Sequence, residues 1–215
     1  MIPMKALYLL PLLALSLLAA ESTPVPTNRV ILWNGQNLTG WKIFLGDATV
    51  DPKNVWNAAD GVLRLATKAS GYVKTEKTFS NYHLHVEWRW PIDAAANSNS
   101  GVLVHVHGDD KVWPACFECQ LKTGNAGQIV GTGLDIPAAP MVNNRKRAPK
   151  FAASSENPFG EWNTYEIICH ADTIEVTING VRQNFVEKLP ASAGSIALQL
   201  EGYPIEFRNV WLEPL

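Results

Sequence analysis

Short runs of alternating apolar and polar residues, cut by turn dipeptides, fill the chain from Val30 to Leu212. Successive side chains of a strand point to opposite faces, so each run sorts into two sets. In Tyr82 to Trp90, one set is Tyr82, Leu84, Val86, Trp88 and Trp90, and the other is His83, His85, Glu87 and Arg89. In Gly101 to His107, Val102, Val104 and Val106 oppose Leu103, His105 and His107. In Cys116 to Lys122, Phe117, Cys119 and Leu121 oppose Cys116, Glu118, Gln120 and Lys122. Near the end, Ile196, Leu198 and Leu200 oppose Ala197, Gln199 and Glu201. Further runs lie at Val30 to Trp33, Thr39 to Phe44, Val55-Trp56, Val62 to Leu65, Thr164 to His170, Thr173 to Asn179 and Ile205 to Leu212. Asp60-Gly61 and Asn179-Gly180 are hairpin signals. No stretch of useful length carries a helical period. The pattern predicts an all-β protein, with about eleven to fourteen strands in two packed antiparallel sheets. Gly124 to Glu161, with its many Gly, Pro and Asn residues, reads as loops over one end of the sandwich, where sites usually sit.

Four strands thus carry one apolar face and one face of His, Glu, Gln, Arg and Lys. An antiparallel sheet with one wet face gives that pattern without any function. This face, however, holds four of the five histidines of the chain. It is bordered by Trp113 and by Asn97-Ser98-Asn99-Ser100. Aromatic rings beside carboxylate, amide and guanidinium groups suit sugar, whose ring face stacks and whose hydroxyls hydrogen-bond. The expectation is that Arg89, His105, Glu118, Gln120 and Lys122 converge on one concave sheet face. Glu118, Arg89, Lys122 and His105 are the catalytic candidates. Gln120, Trp113, Glu87, Gln199, Asn99 and Ser100 are the substrate-binding candidates. His105 and His107 have a spacing that can chelate a divalent metal ion, with Glu118 as third ligand. The spacing alone is a weak signal, since two histidines on one strand face are commonly just exposed polar residues. Nucleophile-elbow and phosphate-loop motifs are absent, as is the Glu-x-Asp-x-x-Glu cluster of laminarinase-type glycosidases.

Bulk properties narrow the setting. Lys5 followed by the uncharged run Ala6 to Ala20 reads as a signal peptide over residues 1–20, too short to span a bilayer as a helix. Residues 21–29 read as a linker. Cleavage after Ala20 predicts a periplasmic or secreted protein whose single β-sandwich domain covers 30–215. No later segment is long or apolar enough to cross a membrane as a helix. The formal net charge of −2 carries no basic footprint for nucleic acid. The basic cluster Asn144-Arg145-Lys146-Arg147 reads as a solvated loop between prolines. Cys116, Cys119 and Cys169 leave at least one thiol unpaired, and Cys119 with Cys169 is the one pairing that strand faces allow.

An ordered set of short stretches runs along the chain. It begins with Leu32-Trp33-Asn34-Gly35 and Leu38-Thr39-Gly40-Trp41, Trp56 with Asp60-Gly61, and Gly71-Tyr72-Val73-Lys74-Thr75. Asn99-Ser100-Gly101-Val102, Glu118-Cys119-Gln120, Gly160-Glu161-Trp162-Asn163 and Ile178-Asn179-Gly180 follow. Gly194 to Gln199 and Phe207-Arg208-Asn209-Val210 end the set. Together they resemble the 3-keto-disaccharide hydrolase domain family. The chain departs from the family where Gln199-Leu200-Glu201-Gly202 replaces a Gln-x-His-Gly pattern. It departs again where His105 and His107 occupy a strand that often carries Arg. The resemblance implies a concanavalin A-like jelly roll that cleaves glycosides bearing a ketone at sugar carbon 3. It also implies a substrate supplied by an upstream sugar-oxidising dehydrogenase. Such chemistry needs one base, with Glu118 the candidate, and one positive group, for which Arg89, Lys122 or a His-bound cation are the candidates. A non-catalytic lectin-like module and an envelope adhesion domain are the alternatives, because the fold does not decide function.

Overall fold

The computed structural model describes residues 25–66 and 68–215. The expected leader over residues 1–20 lies outside the described residues. The strands are β1 (Val30–Ile31), β2 (Trp41–Leu45), β3 (Trp56–Ala59), β4 (Val62–Leu65), β5 (Ser70–Thr75), β6 (Phe79–Ser80), β7 (Tyr82–Arg89), β8 (Gly101–His107) and β9 (Ala115–Gln120). They continue with β10 (Ile129–Thr132), β11 (Met141–Val142), β12 (Arg145–Ala148), β13 (Asn163–His170), β14 (Thr173–Ile178), β15 (Val181–Val186), β16 (Ala193–Glu201) and β17 (Ile205–Pro214). Every pairing is antiparallel. The first sheet runs β15-β14-β13-β7-β17-β4-β3, with β1 on β17. The second runs β11-β12-β10-β9-β8-β16-β5-β2, with β6 on β16.

The inward sets of the two sheets form one core, in which Leu84, Val86, Trp88, Tyr165, Ile167 and Phe207 meet Val73, Val102, Val104, Phe117, Ile129 and Leu198. The two outward faces differ. In β7 and β13 every second residue is half-exposed, the ordinary result for a sheet with one wet face. In β8, β9 and β16 both faces are buried. Something therefore covers the outward face of the second sheet, and that face is where a site can form.

The strands that the alternation did not predict lie on short or irregular segments. They are β5, β6, β10, β11, β12 and β15. The expected loop from Gly124 to Glu161 contains three of them. Asn143 and Asn144 both have positive φ, 49° and 59°, and form the two-residue hairpin turn that joins β11 to β12. The basic cluster is therefore strand β12, paired with β10 through Val130↔Arg147 and Gly131↔Lys146.

One irregularity re-aims a candidate residue. The β8–β9 register shifts between Val104 and His107, and His105 sits in the left-handed region at φ 54°. This bulge inserts an extra residue and reverses the faces that follow. Val106 turns outward to join Leu103, Tyr72, Cys116 and Ala197. His105 turns into the core, where its ring lies edge-on to Tyr82 and Phe117 at 6.2 and 6.0 Å. Gly194 permits the bulge, because a Cβ there would lie 2.5 Å from the His105 carbonyl carbon. His105 is 1% exposed. Its Nδ1 lies 3.1 Å from the Ala191 carbonyl oxygen, which can only accept, so Nδ1 carries the hydrogen. Burial pushes its pKa down to about 4.

His105 is thus a neutral core residue, and this sets a pH dependence. The unfolded chain takes up a proton below about 6.5 that the folded protein refuses until about 4, so stability falls as pH drops through that window. In His105→Phe that loss disappears. Chemical denaturation at pH 7 and pH 4.5 should show the variant gaining about 2–3 kcal/mol on the wild type between the two. An unchanged difference would contradict the core placement.

Candidate functional site

The outward face of the second sheet is built from adjacent rungs. On one rung Ala197 is opposite both Lys74 and Leu103, Leu103 is opposite Glu118, and Glu118 continues through Val130 to Arg147. On the next, Tyr72 is opposite Gln199, and Gly101 is opposite Gln120. The pairing Leu198↔Val102 places Gln199 beside Gly101. A rung further, Asn99 donates a short hydrogen bond from its side-chain amide to the Glu201 carboxylate. The floor is therefore small and apolar at Gly101, Leu103 and Ala197, with polar groups around it.

Glu118 is 3% exposed, Gln120 4% and Gln199 2%. Gly101 is the residue that lets them gather. A Cβ there would lie 2.9 Å from Glu118 Cγ, closer than real Cβ contacts come, and a tight 3.0 Å from Gln199 Oε1. Gln120 donates its Nε2 to Glu118 Oε1 at 2.9 Å, and its own Oε1 accepts from the backbone N–H groups of Leu121 and Lys122. That fixes the amide orientation. Ser100 Oγ donates to the Gln199 backbone carbonyl at 2.9 Å and ties β8 to β16. Gln199 Oε1, Asn99 Oδ1 and Ser98 Oγ are buried without a hydrogen-bond partner among the described residues. Groups left unpaired like this cost stability unless something completes them.

Burial and the Glu201 carboxylate push the Glu118 pKa up to about 7; Arg145, Arg147 and the Gln120 amide pull the other way without prevailing. Burial likewise raises Glu201, opposed by Asn99, Arg145, Lys122 and Arg147. The segment after β8 fences the face. Its Asp110 accepts from the Tyr72 hydroxyl at 2.7 Å and pairs closely with Lys74. Trp113, in the same segment, lies under the Arg145 guanidinium at 4.7 Å. Arg145 Nη1 is 3.9 Å from Glu118 Oε2. Tyr72 stacks on Phe44 at 5.4 Å on the other side.

Of the sequence candidates, Glu118, Gln120, Gln199 and Asn99 meet here, with Trp113 at the rim and exposed Lys122 beyond Gln120. Ser100 contributes through the backbone bond above. Four candidates, Arg89, Glu87, His105 and His107, do not meet them. Arg89 and Glu87 are on β7, in the first sheet, on its own outward face. Arg89 Nε donates to Glu206 at 2.6 Å and its guanidinium lies over Trp162 at 4.5 Å. Glu87 accepts from Arg208 and Asn209. The strand-face sorting was right for β7, but alternation alone does not say which sheet a strand joins. His105 is the third, in the core, on the other side of the sheet from the Glu118 carboxyl. His107 is exposed, and its Nδ1 faces the His105 carbonyl at 2.9 Å, so the expected His105/His107/Glu118 metal set does not form. Among the described residues no other group of three His, Cys, Asp or Glu is placed to hold a metal ion. Cys116, Cys119 and Cys169 are free and buried. Sequence reading missed Arg145, Arg147, Tyr72 and Glu201 as site residues. The Asn143-Asn144 dipeptide before the alternating Arg145-Lys146-Arg147-Ala148 was the signal for the first two.

A two-sheet antiparallel sandwich with a site on the outward face of one sheet defines the concanavalin A-like jelly-roll class. The sequence model of the 3-keto-alpha-glucoside-1,2-lyase-like domain matches residues 28–213, and the chain belongs to that family. No curated protein matches it significantly. Among solved structures it is similar to a candidate glycosyl hydrolase from Parabacteroides distasonis, at 24% identity and a TM-score of 0.64, over 87% of this chain and 94% of that one. It is also similar to a β-glucanase from Bacillus licheniformis, at 14% identity and a TM-score of 0.60, over 90% and 99%. The carbohydrate-binding module CBM66 from Bacillus subtilis follows at 9% identity and a TM-score of 0.59, over 84% and 97%. At these identities the likeness is one of fold.

The raised Glu118 carboxyl gives a stability prediction opposite in sign to that of His105. The folded protein keeps a proton on Glu118 that the unfolded chain releases above about 4.5, so stability falls as pH rises from there to about 7. Glu118→Gln keeps the shape and the Gln120 contact but carries no charge. The variant should gain roughly 2–4 kcal/mol on the wild type between pH 5 and pH 8 in denaturant unfolding. A constant difference would mean that Glu118 ionises like a solvated carboxyl.

Proposed function

We propose that this chain cleaves glycosides already oxidised to a ketone at sugar carbon 3, with Glu118 as the base. The observation that carries the reading is a single nearly buried carboxyl whose pKa lies near neutrality, surrounded by amides and faced by a guanidinium. A general base works best when its pKa is close to the operating pH. The hydrogen on carbon 2 is acidified by the neighbouring ketone, so a carboxylate of this strength suffices. Glu118 takes that hydrogen, and the electron pair moves onto the oxygen at carbon 3. Arg145 is the cation beside Glu118 and the group we assign to the developing enolate. The bond from carbon 1 to the aglycone oxygen then breaks, and the departing oxygen takes a proton from the Glu118 carboxyl or from water. Water adds across the resulting double bond when the outcome is hydrolysis. In this reading Gln199 and the remaining Gln120 N–H bond sugar hydroxyls, and Trp113 stacks on a ring.

Ordinary retaining glycosidases need two carboxyl groups about 5–5.5 Å apart across the glycosidic bond. The group bonded to Glu118 is the Gln120 amide, and Gln199 stands across Gly101 from it, while Glu201 is held by Asn99. That arrangement favours elimination over direct displacement. The substrate must first lose two electrons at carbon 3, so a sugar-oxidising dehydrogenase acts upstream. With the leader over residues 1–20, we place the reaction outside the cytoplasm.

The test is cleavage of a 3-keto-glucoside and of its unoxidised parent, with and without chelator. Wild type should cleave the 3-keto substrate alone, with kcat/KM rising through a pH of about 7 as Glu118 ionises. Glu118→Gln should lose about 10²–10⁴ in kcat, with its fold intact. Near-wild-type turnover by the variant would remove Glu118 from the role. Sugar binding without turnover of any 3-keto substrate would replace the enzyme with a lectin-like module.

A further inference from the structure

Arg145 and Arg147 have unspent recognition capacity. They stand two apart on β12 and on one face of it, the face that β10 continues through Val130 to Glu118. Lys146 points the other way, donating to the Ala139 carbonyl at 3.1 Å and facing Asp135 at 3.7 Å. The strand itself is fastened: Asn184 Nδ2 donates to the Ala148 carbonyl at 2.9 Å and to the Pro149 carbonyl at 3.1 Å. The two guanidiniums therefore rise from a strand paired on both sides, both partly buried. Among the described residues neither makes a side-chain hydrogen bond. The one close ion contact is that of Arg145 with Glu118, at 3.9 Å. Elsewhere in the protein the pattern is the reverse. Arg29, Arg89, Arg182 and Arg208 each donate to a carboxylate at 2.5 to 2.7 Å.

A guanidinium has five N–H donors in a planar fork that matches a carboxylate. Here two forks stand beside a floor of Gly101, Leu103 and Ala197 and a stacking ring at Trp113. The exposed Lys122 ammonium adds a third cation at the other end of the Glu118 strand. Neither nearby carboxyl takes up these donors: Glu118 stays 3.9 Å from Arg145, beyond hydrogen-bond reach, and Glu201 accepts from the Asn99 amide instead.

We infer that Arg147, together with Arg145, forms a subsite for a carboxylate on the substrate, so that the preferred substrates are acidic glycosides. This rests on the Glu118 face being the sugar site, but not on the elimination chemistry. The carboxylate has two possible sources with the same chemistry: the sugar ring, as in a uronoside, or the aglycone. Within the proposed reaction, Arg147 is a specificity residue two strands from Glu118, and Arg145 serves both the subsite and the enolate.

Calorimetry on the full chain tests this with stable, unoxidised probes: methyl glucoside, methyl glucuronide and 4-carboxyphenyl glucoside beside phenyl glucoside. Wild type should bind one carboxylate-bearing probe about tenfold to a hundredfold more tightly than its neutral counterpart. Which probe it is identifies the source. The advantage should shrink with added salt. Arg147→Gln should reduce it to near unity, and Arg147→Lys, which keeps the charge but not the fork, should restore part of it. Equal affinity for acidic and neutral probes, or an advantage that survives in Arg147→Gln, would overturn the subsite. Loss of 3-keto cleavage with the acidic preference intact would count against the elimination mechanism alone.

Discussion

Glu118 occupies a sheet face that its neighbours close to water, and the cost of keeping a charge there organises much of what surrounds it. A carboxylate without solvent must be paired, hydrogen-bonded or protonated. Glu118 receives one amide hydrogen bond, from Gln120, and one guanidinium too distant for a hydrogen bond. The result is a group poised between its two states near neutral pH. Gly101 makes the arrangement sterically possible. The segment carrying Asp110 and Trp113 and the β11–β12 hairpin provide the covering that makes it dry. These are separate stretches of chain, brought to one face by the order of strands in the second sheet.

The two outward faces show how polar residues serve different ends. On the first sheet, His83 and His85 both contact Glu166 at 2.6 and 2.7 Å. Arg208 pairs with Glu87 there, and Arg89 with Glu206. Trp211 and Trp162 lie under Arg29 and Arg208. Those groups are satisfied by one another and half-exposed, as in a face that stabilises and solubilises. On the second sheet, deeper burial coexists with the unpaired oxygens of Gln199 and Asn99 and the uncommitted donors of Arg145 and Arg147. Shifted titration beside unfilled polar atoms is the combination on which the proposed sugar site rests.

The fold class was legible because alternation over β7, β13 and β14 is long and regular. Glu118, Gln120 and Gln199 were assigned to one face correctly for the same reason. Two kinds of information were not in the period. Pairing order is non-local: nothing in β7 itself says that β13 and β17 flank it, so Arg89 and Glu87 were grouped with residues of the other sheet. The bulge at His105 is local but depends on tertiary contact, since Gly194 lets β16 approach the residue that breaks the alternation. A one-residue change of register reverses every face that follows. Thus His105 went into the core while Val106 took the outward place. Arg145 and Arg147 were obscured by composition, because a basic run between prolines reads as loop until the Asn143-Asn144 turn is given its weight.

The account depends on where one hydrogen goes. If Glu118 removes the hydrogen from carbon 2 before the aglycone leaves, that hydrogen passes to a carboxyl, from which it exchanges with solvent. A 3-keto-glucoside carrying deuterium at carbon 2 decides the matter, with label followed by NMR or mass spectrometry during cleavage. The predicted result is slower turnover of the deuterated substrate and complete loss of the label from the sugar product. Deuterium retained at carbon 2 of the released sugar, with turnover as fast as that of the unlabelled substrate, would contradict proton abstraction, and with it the role assigned to Glu118.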